Sequence, residues 1–187
     1  MTEDEALERM RAGDITGLEV VVTRYQVQAA RAAYLVVRDH ALAQDLVLTA
    51  FLRAFERIRQ FDQARAFGPW FLKLVLNDAI KAANRRGREP SLEATSPTLA
   101  AQLVDSSLSP EGSLEQAETA DQVWAALELL SPVQRAAVVQ RYYLGFSESE
   151  MSVLAGKPAS TIKARLHAAR ERLRGLLRTP AHDLEIT

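Results

Sequence analysis

The sequence predicts an all-α protein of two small helical domains joined by a flexible linker, and three observations carry that prediction. No long run of Val, Ile or Thr alternates with polar residues as a half-buried strand would. Apolar residues instead recur at spacings of three and four through successive stretches, the period of a helix with one buried face. Between them, residues 88–113 turn rich in Ser, Thr and Pro and hold no aromatic side chain. At 187 residues and 48% hydrophobic, the chain has enough apolar surface for one folded domain or two modest ones. Cysteine is absent, which removes disulfides and thiolate metal sites and fits a reducing compartment. No apolar run reaches membrane-spanning length, and the acidic start MTEDEALERM does not resemble a signal peptide, so a cytoplasmic protein is expected.

Thr2 followed by Glu3, Asp4 and Glu5 predicts a capped short helix ending near Ala12-Gly13, after which Asp14 is placed to cap the next. The second helix, about 16–38, carries Leu18, Val21, Val22, Tyr25, Ala29, Ala32 and Val36 on one face. Asp39-His40 opens a third, with Ala43, Val47, Ala50, Phe51, Ala54 and Ile58 inward and Gln44, Asp45, Thr49, Arg53 and Arg57 on another side. The stretch 61–68 breaks the period and reads as a loop. Pro69 then occupies the first turn of a fourth helix, which carries Trp70, assigned to the core, and Phe71, Leu74, Val75 and Ile80, and ends in a basic run through Arg85, Arg86 and Arg88.

From Arg88 to Glu115 there is one base against five acids, a net of −4, the composition of a solvated tether; Leu99, Leu103, Val104 and Leu108 could dock as a short apolar segment. Helical pattern returns over 114–130. Ser131-Pro132 then supplies a cap and a first-turn proline for a helix over 133–144, closed by Gly145. A break at Ala155-Gly156-Lys157-Pro158 separates two further helices, as in a helix-turn-helix. After it, Ile162, Leu166, Ala169, Leu173 and Leu176 form a buried stripe. The other faces carry Lys163, Arg165, His167, Arg170, Arg172 and Arg174, and 157–178 has a net charge of +6. Such a density calls for an anion. The small Ala159, Ser160 and Thr161 permit close approach, so 159–170 reads as a helix entering a DNA major groove.

Phosphate-binding Gly-rich loops, paired His ligands and nucleophile–base spacings are missing, and His167 is remote in sequence from His40 and His182; neither an enzyme nor a metal or cofactor site is expected. Four words in order, AQDLVLTAFLRAFERIRQF at 43–61, PWFLKLVLNDAIKAANRR at 69–86, LELLSPVQRAAVVQRYYLGFSESEM at 127–151 and ASTIKARLHAARERLRGLL at 159–177, resemble bacterial sigma factors of the extracytoplasmic-function type. The resemblance implies a region 2 domain over 1–87, a linker over 88–113, a region 4 domain over 114–178 and a tail over 179–187. It further implies that Asp45, Leu48, Thr49, Arg53 and Arg57 face core RNA polymerase. Asn77, with Lys73, Lys81, Arg85 and Arg86, would then take the melted −10 element. Ser160, Thr161, Lys163, Ala164, Arg165, His167 and Arg170 would read the −35 element as duplex. An anti-sigma factor is an expected partner of such a protein, alongside polymerase and promoter DNA.

The chain departs from the family pattern at three places. Leu48-Thr49 stands where a Gln-acid pair is usual, Met151-Ser152 where Ile-Ala is common, and Ala164 at a commonly polar position. Ala164 can touch a thymine methyl group but offers no hydrogen bond. The residues alone also admit a helix-turn-helix regulator, or a sigma-like protein that does not initiate, and a helical module whose basic helix binds an acidic protein.

Overall fold

The computed structural model describes residues 1–86 and 122–178. The linker expected over 88–113, its apolar docking segment and the tail over 179–187 lie outside the described residues. Helix α1 (Glu3–Arg11) starts at a reciprocal cap: Glu5 N–H donates to Thr2 Oγ1 at 3.3 Å and Thr2 N–H donates to the Glu5 carboxylate at 2.9 Å. It lays Ala6, Leu7 and Met10 against α2 (Thr16–Val37). The crossing depends on Gly17, where a Cβ would overlap the Ala6 carbonyl oxygen. Asp14 does not cap α2 as the sequence suggested. The cap position belongs to Ile15, and Asp14 Oδ1 instead accepts from the backbone N–H of Thr16 at 2.9 Å.

Helix α2 is the central rod. Ala29, Ala32, Ala33 and Val36 are wholly buried, and their small size lets α3 (His40–Arg57) and α4 (Phe67–Arg86) approach closely. Arg38 ends α2 in the left-handed region, φ 62°, and Asp39 caps α3 through the Leu42 N–H at 2.8 Å. A single 3-10 turn (Ile58–Gln60) follows α3. Helix α4 begins at Phe67, two residues before the expected proline. Pro69 is still harmless there, because the first four N–H groups of a helix have no intrahelical partner. Phe51 and Phe71 stack at 4.4 Å between centroids, with Phe67, Phe61 and Trp70 extending the cluster. Trp70 is half-buried at its edge, in agreement with a core assignment. Tyr25 donates to Glu3 Oε2 at 2.8 Å, and burial first, with that carboxylate second, pushes its phenol up to about 12.

In the C-terminal part, α5 is described over 122–128 and α6 spans Pro132–Val138, opened by the Ser131–Gln134 reciprocal cap. The single helix expected over 133–144 changes pitch. Val139–Tyr143 forms a π turn, in which Leu144 N–H reaches back five residues to the Val139 carbonyl at 3.0 Å. Helices α7 (Glu148–Ala155) and α8 (Ala159–Arg178) complete the described chain.

The two ends of the chain pack on one another. Ala136, Met151, Ile162 and Leu166 share one continuous buried cluster with residues of α2, α3 and α4. Arg135, buried on α6, donates Nε–H to the Leu127 carbonyl at 2.9 Å, Nη2 to the Glu128 and Leu130 carbonyls at 3.1 and 3.0 Å, and Nη1 to the Val36 carbonyl of α2 at 2.6 Å. Burial is the main reason its guanidinium is pulled down to about 10.

Candidate nucleic-acid interface

The helix-turn-helix is built by three local devices. Ser147 caps α7 through the Glu150 N–H at 3.2 Å, and the Ser147 hydroxyl and amide hold the Glu150 carboxyl below its ordinary value. Gly156, at φ 60°, ends the helix in the left-handed region that suits glycine. Ser152 Oγ then donates to the Lys157 carbonyl at 2.6 Å, closing the turn, and the Pro158 carbonyl accepts from Thr161 and Ile162 to start α8. Ile162, Leu166 and Ala169 are buried, as the spacing predicted, which fixes the rotation of α8.

That rotation leaves Ser160, Lys163, Ala164, His167 and Arg170 exposed on the outer face and Thr161 half-buried at its edge. Lys163 lies 4.0 Å from Glu148 on α7, a loose pair that a phosphate can replace. Arg170 folds back, its Nε–H reaching the Leu166 carbonyl at 3.3 Å. Arg165 is different. It turns inward, half-buried, toward α4.

On α4, Lys73, Asn77 and Lys81 succeed one another every four residues and share a face. Asn77 is exposed, Lys73 is half-buried, and Lys81 stands 3.7 Å from Asp78. Arg85 is exposed at the end of the helix, and Arg86 pairs with Asp39 at 2.7 Å. Lys73 and Asn77 line a cavity of about 140 Å³ with Lys157, Ile162 and Arg165, so the two sets of DNA candidates meet in one cleft.

Asp45, Leu48 and Thr49 form an exposed face of α3, and Arg57 is exposed beyond it. Arg53 points elsewhere: it is partly buried and pairs with Asp78 of α4. Sequence reasoning missed the apolar partners of this face. Leu48 is 62% exposed, Val27 57% and Leu52 51%, and a shallow groove of about 320 Å³ runs between α2 and α3 beside Leu48. The available signal was Leu52, an apolar residue on the polar side of an otherwise amphipathic helix. Among the described residues no cluster of His, Asp or Glu could hold a metal ion.

Comparison with known proteins agrees with this layout. Residues 21–89 match Sigma-70 region 2 and residues 120–173 match Sigma-70, region 4. The chain is 25% identical to the ECF RNA polymerase sigma factor SigW of Bacillus subtilis, covering 92% of this chain and 95% of the relative. It is 27% identical to the ECF RNA polymerase sigma-E factor of Escherichia coli K12, covering 91% and 92%. Among solved structures, CnrH in complex with the cytosolic domain of CnrY has a similar fold, with a TM-score of 0.64 at 22% identity over 92% of this chain and 94% of that one. RpoE of Bartonella quintana, solved with the anti-sigma factor NepR, gives 0.63 at 24% identity over 87% and 96%.

Proposed function

The chain belongs to the sigma-70 family of transcription initiation factors, extracytoplasmic-function type, and from that membership we propose a division of labour among its surfaces. The unit over 1–87 docks on core RNA polymerase through the exposed α3 face of Asp45, Leu48 and Thr49, with Arg57 at its end. Leu48, in place of a polar residue, makes that contact more apolar than the family pattern implies. Arg53 reaches polymerase only by leaving Asp78. The same unit holds the melted −10 strand along α4, Asn77 facing a base and Lys73, Lys81, Arg85 and Arg86 following the backbone. Each stacked base contributes roughly 1–3 kcal/mol toward melting.

The unit over 114–178 inserts α8 into the major groove of the −35 element. Lys163, Arg165 and Arg170 hold phosphates or guanine edges, Ser160, Thr161 and His167 add polar contacts, and Ala164 meets a thymine methyl group. The segment 88–113 tethers the two units, and 179–187 is a tail. The protein itself makes and breaks no bond; polymerase supplies the chemistry. It works in the cytoplasm, where promoter DNA and polymerase are, and an anti-sigma factor is its expected regulator, as NepR is for RpoE of Bartonella quintana. The observation that carries this reading is the exposed cationic face of α8 on a turn closed by Gly156.

The test is in vitro transcription with the purified chain and core polymerase on fragmented genomic DNA, set against core alone. New defined start sites are expected, and Lys163→Glu should abolish them while core binding persists. Core binding without new starts overturns initiation and leaves a regulator on the same fold. The absence of core binding, which the Leu48-Thr49 departure would favour, overturns the polymerase contact as well.

A further inference from the structure

We propose that the free chain is self-locked, its two DNA-reading helices held face to face by a latch of Arg38, Trp124, Glu128 and Arg135, so that promoter binding requires the latch to open. The inference rests on the assignment of α4 and α8 to DNA. Lys73 and Asn77 of α4 and Arg165 of α8 line a single cleft of about 140 Å³. The −10 and −35 elements are, by their names, about 25 base pairs apart, which at 3.4 Å per pair is roughly 85 Å of duplex axis. Helices that share a cleft cannot lie on both at once, and a side chain turned into the cleft cannot reach a groove.

The latch consists of contacts between residues far apart in sequence. Arg38, at the end of α2, pairs with Glu128, donates to the Trp124 carbonyl at 3.3 Å and lies 4.5 Å from the centroid of the Trp124 ring. Tyr34 adds a ring contact to Trp124 at 5.5 Å. Arg135 closes the seam on the Val36 carbonyl, the unpaired acceptor at the C-terminal end of α2. Against these acts a repulsion. Closure gathers Lys73, Lys157 and Arg165 around one cavity with no carboxylate in its lining, and none of the three has an ion-pair partner among the described residues. Opening relieves that crowding and offers the same three cations to phosphates. The locked form is therefore held at one edge and strained at the other, which suits a state that must be released.

Arg38 gives a clean handle. It holds φ 62°, a conformation glycine adopts without strain, so Arg38→Gly removes the latch while easing the backbone. Glu128→Lys removes the ion pair from an exposed position. The chain has no cysteine, so dyes can be placed at Ala41→Cys and Ser149→Cys, both exposed, in the full-length protein. High energy transfer is expected in the free parent. Both variants should lose much of it, and Arg38→Gly should bind a mixed-sequence DNA duplex about threefold to tenfold more tightly, the fraction of binding-competent chain having risen. Low transfer in the free parent, or unchanged transfer and duplex affinity in both variants, overturns the proposal. Transfer is read without promoter or polymerase, so a chain that is latched yet starts no transcription sinks the initiation reading and leaves the latch standing.

Discussion

Arg86 reaches from the last turn of α4 to Asp39 at the cap of α3, a 2.7 Å ion pair that joins a DNA candidate to a helix start. The Leu42 amide, and after it Arg86, hold the Asp39 carboxyl below its ordinary 3.8. A depressed folded-state value stabilises the fold above the unfolded value, and that stability is lost as pH falls through the folded one. Thermal unfolding followed below about pH 4 should show the loss in the parent and a smaller slope in Asp39→Asn. At neutral pH, Asp39→Ala should lower stability by about 0.5–2 kcal/mol, the usual range for a lost N-cap.

Lys163 is the exposed cation of α8 with the loosest partner. Lys163→Ala should weaken duplex binding uniformly across sequences and reduce the slope of log affinity against log salt by about one. A change in base preference instead of in salt slope would move Lys163 from phosphate to base contact. Ala164→Gln should do the opposite, leaving the salt slope and changing the preferred base. Selection from a randomised −35 duplex pool reads both outcomes.

Leu48 and Leu52 present apolar surface that no other part of the described chain covers. Leu48→Glu should weaken core polymerase binding by about 2 kcal/mol or more, roughly thirtyfold, if Leu48 is a central contact. Urea unfolding should be unchanged, since the side chain packs on little in the free protein. An equal loss in both measurements would assign Leu48 to the fold.

Gly17 sits where α1 crosses α2. Gly17→Ala drives a methyl group into the Ala6 carbonyl, and because that neighbour is backbone, the helices must separate. A loss of about 1–3 kcal/mol in urea unfolding is expected, despite the better helix propensity of alanine.

Helix ends were the most legible part of the fold. Thr2, Asp39, Ser131 and Gly156 act through neighbours two to four residues away, and local chemistry of that kind is written in the chain. The buried stripe of α8 was legible for the same reason, and with it the outward set Lys163, Ala164 and His167. The inward turn of Arg165 was not, because it depends on α4, whose register against α8 no single-helix period encodes. Arg53 reads as a surface cation until Asp78, on the next helix, is placed beside it. Arg38 and Trp124 are 86 residues apart, with the linker between them. The π turn escaped notice since VQRYY has the composition of an ordinary helix.

That turn also governs how the chain tolerates a change in length. A π turn holds one residue more than the α-helical turn it replaces, so deleting a residue between Val139 and Tyr143 would let the backbone rewind to regular pitch. Everything after it would be rephased by about 100° about the helix axis. Tyr142, now facing solvent, would swing toward the seam, and α7 and α8 would leave the helix on a new bearing. Homologues one residue shorter here should therefore differ in the aim of the DNA-reading helix more than their sequences suggest.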